Sequence, residues 1–117
     1  VNRWLTPEQA ADLMNANVQT VRGWIRDGMM PGLKAGHRTI RVPADFVQRF
    51  RESLTVQQAS DLMTVSAKTV LQWMHRRGLP YLWLGRRTVR IHPDDLGEWM
   101  QRGQSATVDN PWRRWLS

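Results

Sequence analysis

The 117-residue chain contains no cysteine. Disulfide staples and thiolate-bound metals are therefore excluded, and the composition fits a reducing cytosol. No apolar run approaches the roughly 20 residues of a membrane-spanning helix, and no secretory signal pattern is visible. Neither membrane association nor secretion is expected, and a cytoplasmic location is. Histidine is scarce: His37, His75 and His92 are scattered, with no HxxxH or His/carboxylate spacing, so no metal site is expected. There is no phosphate-cradling glycine loop, no nucleophile elbow and no carboxylate pair suited to a cleft. Asp94-Asp95 reads as the acidic first turn of a helix. Neither enzymatic activity nor a cofactor is expected. One tyrosine and two phenylalanines stand against seven tryptophans, an imbalance that needs an account.

What the chain does have is positive charge, +7 in total with a pI near 11.4. Eight basic side chains against five acidic ones fall in residues 1–52, and seven against four in residues 53–102. An evenly basic surface concentrates polyanions around it. The even sharing favours two similar anion-binding units over one basic tail. A hydrophobic content of 41% supports a packed core, although a unit of half this length is marginal on its own.

The strongest signal is an internal repeat, which takes precedence over any reading of fold. Shifting the sequence by 49 positions aligns Leu5–Arg41 with Leu54–Arg90, and 16 of the 37 aligned positions are identical. Among them are Leu5/Leu54, Thr6/Thr55, Ala10/Ala59, Asp12/Asp61, Leu13/Leu62, Val21/Val70, Trp24/Trp73, Pro31/Pro80, Gly36/Gly85, Arg38/Arg87 and Arg41/Arg90. We read two copies of one small domain, residues 1–52 and 53–102, followed by a tail, residues 103–117. The joint around Arg51 to Ser53 is short, so the two copies are not expected to tumble freely.

Within each copy the local signals come in the same order. Thr6-Pro7-Glu8-Gln9 predicts a capped helix start, with Gln9 closing a capping box, and Thr55 to Gln58 repeats the box. Ala10, Leu13 and Met14, matched by Ala59, Leu62 and Met63, predict a short apolar stripe. Asn15-Ala16-Asn17 breaks the helix, and Asn17, like Ser66, is placed to cap the next one. In VQTVRGWIRD, residues 18–27, Val18, Val21, Trp24 and Ile25 form an apolar stripe that predicts a buried Trp24. Gln19, Arg22, Gly23 and Arg26 share the opposite side. The second copy, AKTVLQWMHR, predicts a buried Trp73. Gly28 and Pro31, and Gly78 and Pro80, end these second helices. Two β-prone runs around Gly36 and Gly85 predict hairpins with basic tips. Pro43 to Phe50 and Pro93 to Met100 predict a last helix, with Trp99 placed either in a core or between domains.

At this point the residues resemble a known family. LTPEQAADLM, NVQTVRGWIRDGMMP and GHRTIRVP, with LTVQQASDLM, SAKTVLQWMHRRGLP and GRRTVRIHP, look like the excisionase-type winged helix-turn-helix, a relative of the MerR DNA-binding domain. The resemblance covers nearly all of residues 4–102. It implies a mainly α fold with small β-hairpin wings, two tandem winged helix-turn-helix domains, and double-stranded DNA as partner. In such domains the second helix enters the major groove and the wing follows the backbone or the neighbouring minor groove. In MerR-type relatives the arginine of a Thr-Val/Leu-Arg triplet contacts DNA, which here is Arg22 in Thr20-Val21-Arg22. The second copy departs, with Thr69-Val70-Leu71. Either the two half-sites differ in sequence, or one copy reads and the other anchors.

The expected recognition-helix contacts are Gln19, Thr20, Arg22, Gly23 and Arg26, and Lys68, Thr69, Gln72, His75 and Arg76. Arg and Gln of this kind reach base edges bidentately, whereas a plain amphipathic surface helix would leave them solvated. Gly23 either admits DNA close to the backbone or is incidental. The expected wing contacts are His37, Arg38, Arg41, Arg86, Arg87 and Arg90, directed to phosphates. Leu71, Trp83, Trp112 and Trp115 are candidate partner contacts. Leu71 suits either a thymine methyl or a protein surface. The basic, Trp-rich tail would fold back, dock on an integrase or recombinase, or mediate self-association. The expected function is an excisionase, or recombination directionality factor, that is bacterial or phage-encoded, binds direct repeats and bends DNA. Alternatives are a small phage or mobile-element transcriptional regulator, and, in another class, a winged-helix protein-interaction adaptor.

Overall fold

The computed structural model describes residues 3–36, 38–85 and 87–102. The predicted contacts His37, Arg86, Trp112 and Trp115, and the whole tail from residue 103, lie outside the described residues. The chain divides into two compact units that meet between Arg51 and Glu52. Among the described residues there are six helices and five short strands, and no helix is long and apolar enough to cross a membrane.

The first unit begins with strand β1 (Trp4–Leu5), followed by α1 (Pro7–Met14) and α2 (Val18–Arg26). The capping box forms as its residues dictate. Thr6 Oγ1 accepts from the Gln9 N–H at 3.1 Å, and Gln9 Oε1 accepts from the Thr6 N–H at 3.0 Å. Asn15, at φ 55°, turns the chain out of α1, and the Asn17 side chain accepts from the Gln19 N–H at 2.7 Å to start α2. Asparagine tolerates the left-handed region better than most residues, which suits Asn15 to this turn. After α2, Gly28 at φ 76° reverses the chain, and the Trp24 carbonyl accepts from Met29 and Met30 at 2.9 and 3.2 Å. Strands β2 (Leu33–Ala35) and β3 (Thr39–Pro43) then form the hairpin wing, and β1 pairs with the far edge of β3, giving the order β1-β3-β2. Helix α3 (Ala44–Glu52) closes the unit. Its core comprises Leu5, Ala10, Ala11, Met14, Val21, Met30, Val42, Phe46, Val47 and Phe50.

The second unit repeats the plan with α4 (Val56–Met63), α5 (Ala67–Arg76), β4 (Leu82–Trp83), β5 (Val89–Arg90) and α6 (Pro93–Gln101). Thr55 and Gln58 form the same capping box at 3.0 and 2.9 Å. The counterpart of the β1–β3 pairing is a single bridge, in which Leu54 and Ile91 exchange hydrogen bonds of 2.7 and 2.8 Å. Gly78, at φ 75°, takes the place of Gly28, and the Trp73 carbonyl accepts from the Leu79 N–H at 3.1 Å. His92 caps α6, with its Nδ1 accepting from the Asp94 N–H at 3.1 Å. Trp99 is buried at the centre of this unit, donating from Nε1 to the Arg77 carbonyl at 2.8 Å. The indole N–H thus has the partner a buried tryptophan requires.

Two expectations are corrected, and one that stood open is resolved. Leu13 and Leu62 were placed on the apolar stripe but are 41% and 63% exposed. The helices α1 and α4 have two turns each, and the buried positions on α1 are Pro7, Ala10, Ala11 and Met14, which leaves Leu13 on the flank. Trp24 and Trp73 are half-buried rather than core. Val21 and Val70 take the innermost positions on α2 and α5, both fully buried, while the larger indoles lie at the edge. The Trp73 ring stacks obliquely on Trp99, with centroids 5.2 Å apart. Trp99, for which two places were open, is a core residue. The N-terminal strand pairings were not expected, because two residues carry no readable periodicity.

Candidate nucleic-acid interface

The side of α2 opposite Val21 carries the predicted contacts. Gln19, Thr20 and Arg26 are exposed, with the Arg26 side chain 78% open to solvent and its Nε 3.4 Å from Asp27 Oδ1. At that distance and exposure the contact barely restrains Arg26. Gly23 lies between these side chains at mid-helix. A Cβ added there would come 3.5 Å from Arg26 Nη2, an ordinary van der Waals distance. Nothing inside the unit therefore requires glycine at this position.

Arg22 differs from its neighbours. Its Nη2 donates to Glu8 Oε1 on α1 at 2.7 Å, and 40% of its side chain remains exposed. A hydrogen bond from the Glu8 backbone, and then the Arg22 guanidinium, hold the Glu8 carboxyl below the usual carboxylate range. Sequence reasoning missed Glu8. A signal was nevertheless present in the repeat, where Glu8 aligns with Gln57 and Arg22 with Leu71.

On α5, Lys68, Gln72, His75 and Arg76 are exposed, and Thr69 is half-buried. The Thr69 hydroxyl lies 2.9 Å from the Ser66 hydroxyl, which ties it to the start of the helix. The His75 ring meets Tyr81 edge-on, with centroids 6.1 Å apart. Leu71, in the place of Arg22, is 40% exposed. The second helices of the two units thus present different surfaces on the same backbone plan.

The wings are also matched. Arg38 and Arg87 are exposed beside the turns, and Lys34, not singled out from the sequence, is exposed on β2. Arg41 and Arg90 are half-buried on the second strands. Each donates from Nη1 to the carbonyl of the preceding residue, Ile40 or Val89, at 2.9 Å. Burial pushes the Arg90 guanidinium below its usual value, yet an arginine stays cationic at neutral pH. Trp83 is 49% exposed between buried Leu82 and Leu84, as strand alternation requires. Its cross-strand partner is Val89. Among the described residues no group of three or more His, Asp or Glu gathers as metal ligands would.

Two short helices joined by a tight turn, with a polar outward second helix, a basic hairpin and a closing helix, define the class of the winged helix-turn-helix DNA-binding module. The chain belongs to the family described as helix-turn-helix domain, whose model matches residues 4–53 and again residues 53–104. It therefore carries two tandem helix-turn-helix DNA-binding domains. No curated protein and no solved structure matches it at a significant level.

Proposed function

We propose that the chain binds double-stranded DNA sequence-specifically, with α2 and α5 in successive major grooves and the wings on the backbone. The observation that carries this reading is the pair of outward helix faces, equivalent in backbone and different in side chains. Gln19, Thr20, Arg22 and Arg26 read base edges from α2, and Gly23 admits the DNA close to the backbone. Lys68, Thr69, Gln72, His75 and Arg76 serve α5. Arg38, Arg41, Arg87 and Arg90, with His37 and Arg86, neutralise phosphates. Units that follow head to tail in sequence suit half-sites in direct repeat, about one helical turn (~10 bp) apart. The role proposed is that of an excisionase, or recombination directionality factor, which bends DNA for an integrase in a bacterial or phage cytoplasm. Trp112 and Trp115 in the tail would offer the contact to that integrase or to a second copy. A mobile-element transcriptional regulator would use the same DNA contacts without the bend.

Exposed Leu71 and Trp83 favour a second reading, in which the winged fold is a protein-interaction adaptor. Salt separates the two. A reader that neutralises about 6–10 phosphates loses roughly 10³–10⁵ in affinity between about 50 and 200 mM salt. Binding that ignores salt would overturn the DNA reading in favour of the adaptor. Circular-permutation gel shifts on the bound duplex should show a bend, and a straight complex would replace the excisionase by the regulator.

A further inference from the structure

We infer that Glu8 is a positioning residue for base recognition: its ion pair with Arg22 aims that guanidinium, making the first unit the stringent reader and leaving the second a weaker discriminator. The inference rests on the proposed DNA reading and deepens it. The geometry comes first. Glu8 lies in the opening turn of α1 and Arg22 in the middle of α2, 14 residues on, and the 2.7 Å contact fixes one amino group of the guanidinium. A guanidinium carries five N–H donors in a rigid plane. One Nη2 donor goes to Glu8, and 40% of the side chain stays open to solvent, so donors remain for guanine O6 and N7. A long arginine with no such tether, such as Arg26, samples more rotamers and loses more side-chain entropy when it is held in one base-reading geometry. Both partners are solvent-exposed, so the ion pair contributes little to stability, and its consequence is orientation.

The repeat supplies an independent observation. The second unit lacks both members, with Gln57 in place of Glu8 and Leu71 in place of Arg22. Gln57 is instead tied along its own helix, donating from Nε2 to Ser60 Oγ at 3.2 Å and to Asp61 Oδ1 at 3.0 Å. The capping boxes around both positions are the same. A carboxylate that aims an arginine has no task in a unit whose aligned position carries leucine.

The test measures full-chain binding to a duplex selected from a random pool, and to every single-base-pair variant of that duplex. Arg22→Ala should erase the preference at one base pair, a loss of about 5- to 150-fold. Glu8→Gln, which keeps shape and helix propensity, should flatten the preference at that same pair while affinity for random DNA holds or rises. The double variant should match Arg22→Ala, because one effect acts through the other. Additive losses, or a Glu8→Gln protein that binds everything more tightly with its preferences intact, would overturn the inference. A wild-type chain with no preference among the variants would overturn both the inference and the underlying DNA reading, so the two failures are distinguishable. The converse experiment installs the device in the second unit. Leu71→Arg alone should tighten binding to all duplexes about equally, whereas Gln57→Glu with Leu71→Arg should create a new base preference. The same preference from Leu71→Arg alone would show that the carboxylate does no aiming.

Discussion

Gly23→Ala should make the protein more stable and a poorer DNA binder. Glycine inside a helix costs about 0.8–1.0 kcal/mol relative to alanine, because it surrenders more backbone freedom on folding. Gly23 lies in mid-α2, and an added Cβ would meet Arg26 Nη2 at 3.5 Å, a contact that costs nothing. The full propensity gain should therefore appear, raising the melting temperature by roughly 4–8 °C for units of this size. On the DNA side the same methyl projects from the face proposed to enter the groove. A methyl forced into a close-packed contact costs about 1–3 kcal/mol, or about 5- to 150-fold in affinity. Thermal unfolding followed by circular dichroism gives the first quantity, and fluorescence anisotropy on a labelled specific duplex gives the second. Gly97→Ala on α6 is the control, since a Cβ there meets nothing within 4 Å and should stabilise without touching affinity. A Gly23→Ala protein that gains stability and binds as before would refute close backbone approach. One that loses stability would refute the packing argument.

Other consequences can be checked on the same protein. Thr64 occupies the left-handed region at φ 58°, where a β-branched residue is strained by about 1–2 kcal/mol, while Asn15 fills the equivalent turn of the first unit. Thr64→Asn should raise the urea midpoint by an amount corresponding to about 1 kcal/mol, and an unchanged midpoint would deny the strain. Trp99→Ala removes a fully buried indole and strips the Arg77 carbonyl of its donor. A loss of about 3–5 kcal/mol is expected in urea denaturation. The depressed Glu8 carboxyl is charged above its lowered pKa, and its pairing is lost as pH falls through that value. Carboxyl-detected NMR should place its midpoint below the ordinary carboxylate range and show it rising in Arg22→Ala. Base preference at the Arg22 pair should accordingly be constant from about pH 5.5 to pH 8, well above ordinary carboxylate pKa values.

The parts of the fold that were legible in the sequence are those set by local chemistry. Thr6 with Gln9, and Thr55 with Gln58, announce a helix start because both partners of each hydrogen bond lie within four residues. Gly36 marks the first wing turn through the positive φ it adopts, 78°, and Gly85 does the same for the second wing at 112°. Leu13 and Leu62 were misplaced because a two-turn helix offers too few positions to fix the direction of its buried face. Trp24 and Trp73 read as core from their spacing yet lie at its edge, because periodicity gives a side and not a depth. The smaller valines at Val21 and Val70 take the innermost places. The candidate site was legible only as polar side chains on α2, α5 and the wings, most of them exposed. The tie between Glu8 and Arg22 was not, since it spans two helices and needs their packing. Its one trace in the sequence is the aligned pairs Glu8/Gln57 and Arg22/Leu71.

Tandem sequence-specific DNA binding is decided by selection from random duplexes at about 150 mM salt, near physiological ionic strength, followed by sequencing of the retained DNA. Two motifs should be enriched in direct repeat, about one helical turn (~10 bp) apart, with the motif read by the first unit the sharper. Weak retention of every duplex without enrichment, or no retention at all, would contradict it.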